Sequence, residues 1–213
     1  MCIRDRAVSS SAQASSASEL DARLADARKQ NSDVVAWLTI PGTDVDDPVV
    51  QAADNDYYLR RTWLGESDVW GCYFLDYECN IREKASLDKV SIIYGHSLED
   101  SKDDKNFSQI KRWEDAEFAA QNPTFTLRLT DGTLTTWQVF AASKVPVEGE
   151  NAVYYLDPNP DEATYSALLD TLRAASAKNF DSVEVSAQDK ILILSTCTSD
   201  DIVRYVLCAK LVA

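Results

Sequence analysis

One histidine serves this whole chain, His96, and it closes the segment Tyr94-Gly95-His96. Far downstream, Leu194-Ser195-Thr196-Cys197 ends on a cysteine, and Arg204 follows shortly after. A cysteine nucleophile works as its thiolate, which a nearby cation favours. It also needs a proton-transfer group and a donor for the charge that develops on an attacked carbonyl. Cysteine chemistry that requires an imidazole has a single candidate partner here. Each residue also has a plain alternative. Cys197 can be an inert buried thiol beside a surface arginine, and His96 an ordinary exposed loop residue. Gly95 permits a close backbone approach or a sharp exit from a strand.

The elements that must position these groups are legible in outline. Ile191–Leu194 is an uninterrupted apolar run, expected to be a strand buried on both faces that turns polar where Cys197 emerges. The expected strand spans Lys190–Thr196, and a second, Val203–Val212, carries Arg204 behind a short polar loop, Thr198–Asp201. Val90–Tyr94 reads as the strand delivering His96, with an exposed loop over Ser97–Lys105. Upstream, a helix is expected at Glu19–Gln30, then strands at Val34–Ile40, Val49–Gln51 and Gly71–Asp76, with a helical turn at Asn55–Arg61 between them. Ser108–Trp113 and Asp115–Gln121 read as short helices. Thr124–Thr130 and Thr133–Ala142 flank Asp131-Gly132 and form the clearest hairpin. A helix at 161–177 has Asn159 as its expected cap and Pro160 at its first position. About eight short strands with few helices point to a mostly β fold, a closed β-barrel decorated by helices.

Composition limits the function. The 213 residues are 45% hydrophobic, enough for one buried core. A net charge of −14 repels phosphates and anionic lipid, so nucleic acid and a membrane surface are poor partners. The five cysteines, Cys2, Cys72, Cys79, Cys197 and Cys208, show no C-x-x-C spacing, and one histidine cannot complete a usual zinc set. No metal and no cofactor are expected. The cysteines are expected as free thiols, with Cys208 a small core residue on a late strand. No apolar run reaches the roughly 18 residues of a transmembrane helix. Ala7–Ser18 is Ser/Ala-rich, so residues 1–18 are expected as a disordered linker or an artificial N-terminus, and residues 19–213 as one catalytic domain. The order His, Cys, Arg does not fit papain-like proteases, whose cysteine comes early at a helix N-terminus.

Taken together the motifs resemble the sortases, cysteine transpeptidases of Gram-positive bacterial surfaces, and class B in particular. Leu194-Ser195-Thr196-Cys197 is similar to the T-L-x-T-C signature, with Ile193 where the first Thr is usual. Ile93-Tyr94-Gly95-His96 resembles the histidine motif and Val203-Arg204-Tyr205-Val206 the arginine strand. Ile40-Pro41-Gly42-Thr43 through Pro48-Val49-Val50-Gln51 is similar to the early strand pair, with Asp47 a departure expected at the surface. The N-terminal helix, the stretch at Asn55–Leu59 and the long helix before the cysteine strand point to class B. The resemblance runs from about residue 19 to the C-terminus.

It implies an eight-stranded sortase-type barrel and a catalytic trio of His96, Cys197 and Arg204. Cys197 would attack the Thr carbonyl of a C-terminal sorting motif on a secreted protein and form a thioester. A peptidoglycan or lipid-linked precursor amine would then resolve it. Asn55, Leu59, Tyr94, Tyr155, Leu156 and Ser195 would bind the peptide, although Tyr94 and Leu59 could equally be core. The resemblance also implies a place on the outer face of a Gram-positive cell membrane, held there by an anchor preceding the residues seen here. Two other readings stay open: a cysteine endopeptidase that mainly hydrolyses, and a catalytically idle sortase-like binding domain.

Overall fold

The computed structural model describes residues 5–97, 105–146, 148, 152–153, 155–176, 180–197 and 203–213, and of residues 5–17 and 197 it describes the backbone. Helix α1 (Asp5–Gln30) leads into strands β1 (Val34–Thr39), β2 (Asp46–Val50), β3 (Tyr73–Leu75) and β4 (Val90–Tyr94). A 3-10 segment, Asn106–Glu114, and helix α2 (Ala116–Gln121) precede β5 (Thr124–Leu129) and β6 (Leu134–Pro146). Helix α3 (Glu162–Ala174) then precedes β7 (Ile191–Cys197) and β8 (Val203–Leu211). The eight strands close into a barrel in the order β1-β2-β3-β4-β7-β8-β6-β5, and β5 returns to β1.

The apolar run in β7 explains its central place. Leu192 and Leu194 belong to one buried cluster with Leu38, Leu127 and Leu207, whereas Ile191 and Ile193 pack in another with α3. Alternate side chains of a strand point to opposite faces, so a strand covered on both must be apolar throughout. Val90, Ile92 and Ile93 of β4 divide in the same way. Helix α3 lays Tyr165, Leu168, Leu169 and Leu172 over this face, each contributing roughly 1.5–3 kcal/mol by leaving water. Helix α1 covers a third cluster through Leu24 and Ala27, against Val34, Trp37 and Val50.

Several expectations shift at element ends. Helix α1 starts at Asp5, ahead of the expected Glu19. The Ala7–Ser18 stretch holds neither Gly nor Pro, and alanine is the best helix former. The cap of α3 is Asp161, whose carboxylate accepts from the Thr164 amide; Asn159 instead accepts from the Lys89 amide and donates to Asp88. Asn55–Arg60 is a run of bends and turns with no helix, and Arg61 forms a β-bridge with Ser67. Strand β2 begins before Pro48, at Asp46, and Asp47 is exposed as expected. Ser97 is buried and accepts from Ser108, so the polar stretch after His96 starts inside the fold. Residues 98–104 and the loop at Thr198–Asp201 lie outside the described residues. Among those described, no helix is long and apolar enough to cross a membrane.

Candidate active site

Strands β4 and β7 run parallel, with Tyr94 opposite Ser195, and the Gly95 amide donates to the Ser195 carbonyl at 3.1 Å. Both strands therefore leave the barrel at the same end, and His96 and Cys197 each lie two residues past that matched pair. Strand β8 runs antiparallel beside β7 and sets Arg204 opposite Cys197. Backbone register thus brings His96 beside Cys197 and Arg204, which lie far downstream in the chain.

A cleft of about 230 Å³ opens there, lined by Asn55, Leu59, Phe74, Tyr94, Gly95, His96, Ser195, Thr196 and Arg204. Four of the six expected peptide-binding residues, Asn55, Leu59, Tyr94 and Ser195, sit in its wall. A fifth, Tyr155, is buried behind it, its hydroxyl 3.0 Å from that of Ser195. Leu156 is 38% exposed and is not among the lining residues described. His96 is 9% exposed, so the imidazole is enclosed by the cleft and is no freely solvated loop residue.

Gly95 provides the close approach its position requires. A Cβ there would fall 2.5 Å from the ring of Phe107, which stacks on Tyr73. No side chain fits between β4 and the 3-10 segment at that point.

The cleft wall holds two arrangements that the sequence reading missed. Asp76, only 2% exposed, accepts from Asn55 Nδ2 at 2.8 Å and from the Tyr94 hydroxyl at 3.0 Å, both on Oδ2. Its other oxygen accepts from the Glu78 amide. Burial, then the charge of Asp76, drives the Tyr94 phenol far above its ordinary range, so Tyr94 stays a proton-bearing donor. In the second, Arg60 Nη1 lies 2.6 Å from His96 Nε2. Of these, only Asp76 had a signal, a lone carboxylate at the end of the expected strand Gly71–Asp76. Thr196 and Phe74 also line the cleft; Thr196 could have been inferred from its place beside Cys197.

Three other thiols are poor nucleophiles. Burial pushes Cys72 and Cys79 up to about 12, and buried Cys208 is raised further still. All three are free, and Cys208 packs in the core as expected. Among the described residues, no group of three His, Cys, Asp or Glu side chains could hold a metal ion.

No family model matches the chain. Among curated proteins, Listeria monocytogenes sortase B is 34% identical over 185 residues, covering 85% of this chain and 70% of that one. Staphylococcus aureus sortase B is 28% identical over 187 residues, covering 86% and 72%. Among solved structures, a Staphylococcus aureus sortase B-substrate complex superposes with a TM-score of 0.77 at 26% identity, covering 89% of this chain and 84% of that one. Sortase B from Listeria monocytogenes gives 0.72 at 34% identity, covering 88% and 99%.

Proposed function

The chain belongs to the sortase B family and is a cysteine transpeptidase, and on that premise we propose that Cys197 is its nucleophile, His96 its proton carrier and Arg204 its oxyanion and substrate clamp. What supports this reading is the single cleft that His96 and Arg204 share with the residues preceding Cys197. Residues 19–213 would form the catalytic domain.

In the first half-reaction, the Cys197 sulfur bonds to the carbonyl carbon of a sorting-motif Thr while the peptide C–N bond breaks. The thiol proton passes to His96 and from there to the departing amine, leaving a thioester. Arg204 donates to the carbonyl oxygen as negative charge gathers on it. In the second half-reaction, an amine of peptidoglycan or its lipid-linked precursor attacks the thioester. His96 takes the amine's proton, and the sulfur leaves and recovers a proton. Asn55, Leu59, Tyr94 and Ser195 would form the groove for the peptide, with Tyr155 steadying Ser195. That a Staphylococcus aureus relative has been solved as a substrate complex favours reading the cleft as that groove. The family's setting implies work at the outer face of a Gram-positive cell membrane.

Cys197→Ala is expected to abolish cleavage of sorting-motif peptides while leaving the circular dichroism spectrum and melting temperature near those of the parent. Full cleavage by that variant would sink the assignment. Adding an amine acceptor should divert hydrolysed product into ligated product. Hydrolysis alone, across a range of acceptor amines, would favour the endopeptidase reading.

A further inference from the structure

Arg60 follows Leu59 on the turn that walls the cleft, and its Nη1 makes two contacts. It donates to the Val69 carbonyl at 2.7 Å and meets His96 Nε2 at 2.6 Å. A guanidinium carries donors and no acceptor and stays protonated in proteins. A hydrogen bond to it therefore requires an unprotonated Nε2 with its lone pair directed at Arg60, and the proton of the neutral ring then sits on Nδ1.

Among the described residues, the further cations near the imidazole act in the same sense, and the Asp76 carboxylate behind Tyr94 is engaged by Asn55, Tyr94 and the Glu78 amide. Arg204 on β8 shares the cleft, and Lys111 of the 3-10 segment donates to Ser97, next to His96. Tyr94 on β4 keeps its proton. Cations within about 4–6 Å disfavour a charged imidazole. Arg60 is in direct contact with Nε2.

We propose that Arg60 is a positioning residue for His96: it occupies the Nε2 lone pair and holds the resting imidazole neutral, with its proton on Nδ1. A proton and the guanidinium compete for that one lone pair, so His96 takes up a proton at Nε2 only as Arg60 withdraws. Because Arg60 adjoins Leu59, it is the cleft-wall turn that sets whether the imidazole is capped. The inference rests on the reading of His96 as proton carrier, and the two are separable. His96→Gln tests that reading by activity, whereas the Arg60 contact is read from the imidazole itself.

With a single histidine, the ¹⁵N and ¹H imidazole signals of the parent protein report on this ring without ambiguity. At alkaline pH the parent is expected to show the Nδ1–H tautomer, with an unprotonated Nε2. In Arg60→Gln the His96 titration midpoint should rise by about one pH unit and the tautomer preference should relax. Arg60→Lys, which keeps a cation and a donor, should recover much of the parental midpoint. The pH profile of kcat/KM should move with the midpoint. An Nε2–H tautomer in the parent overturns the proposal, and that measurement needs no variant. So does an unchanged midpoint in a folded Arg60→Gln protein, which would leave Arg60 as a tie to Val69 and nothing more.

Discussion

Each of the three groups that approach the Asp76 carboxylate brings a hydrogen: the Asn55 amide, the Tyr94 hydroxyl and the Glu78 backbone N–H. Only an acceptor on both oxygens satisfies them, so an ionised carboxylate suits this buried position and an isosteric amide does not. In Asp76→Asn, one orientation turns the new NH₂ toward the Glu78 amide and the other turns it toward Asn55 and Tyr94. Either way a buried donor is stranded, at a cost of about 1–3 kcal/mol. The Asn55 amide is fixed at both ends, since its oxygen accepts from the Tyr77 N–H at 3.1 Å. Loosening Asp76 frees two groove residues while leaving His96 and Arg204 in place. The expected kinetic signature is a KM for sorting-motif peptide raised severalfold, with kcat changed much less. Denaturant melts and steady-state kinetics check this, and an unchanged KM in a less stable protein would confine Asp76 to a structural role.

At the scale of elements, the end of β4 depends on its contact with the 3-10 segment Asn106–Glu114. Gly95→Ala would drive a methyl group into the Phe107 ring, and that ring is buried and stacked on Tyr73. Overpacking of this kind typically costs about 1–3 kcal/mol, and relief by moving the backbone shifts His96. The variant should melt earlier and lose more than tenfold in kcat/KM. Adding Phe107→Leu, which makes room, should return part of the activity. A double variant no better than the single one would show that the ring contact is not the cause. This element illustrates what could be read in advance. The apolar run of Val90–Tyr94 and its glycine exit were visible locally, because both are properties of adjacent residues. The parallel pairing of β4 with β7, which brings His96 level with Cys197, was not, because register between distant strands depends on the closure of the whole sheet. The Arg60–His96 contact was hidden for the same reason. Asn159 looked like a cap for α3 by residue type, and the chain places Asp161 there, one residue before the helix begins.

Across the whole molecule, barrel closure and its helical cover bury thiols that the chemistry does not use, and this sets an alkaline limit to stability. Cys79 is 4% exposed, and its sulfur approaches the Val90 carbonyl at 3.7 Å. Burial, aided by the charges of Asp76, Asp88 and Glu78 and opposed by a backbone hydrogen bond, lifts its thiol from about 9 to about 12. The folded state therefore keeps a proton that the unfolded chain releases once pH passes about 9. Where the folded state binds more protons, stability falls as pH rises. The contribution is intact below about pH 9 and is lost progressively up to about pH 12, at up to about 1.4 kcal/mol per pH unit for one such group. Cys72 and Cys208 are raised in the same direction, so the parent should lose stability steeply over this interval. Self-repulsion of a chain already at −14 adds to that loss, but equally in parent and variant. Cys79→Ala isolates the thiol: it should be less stable than the parent at pH 8, and its decline between pH 9 and 11 should be shallower. Urea unfolding at each pH measures both slopes, and parallel slopes would mean that the Cys79 proton does not govern the alkaline limit.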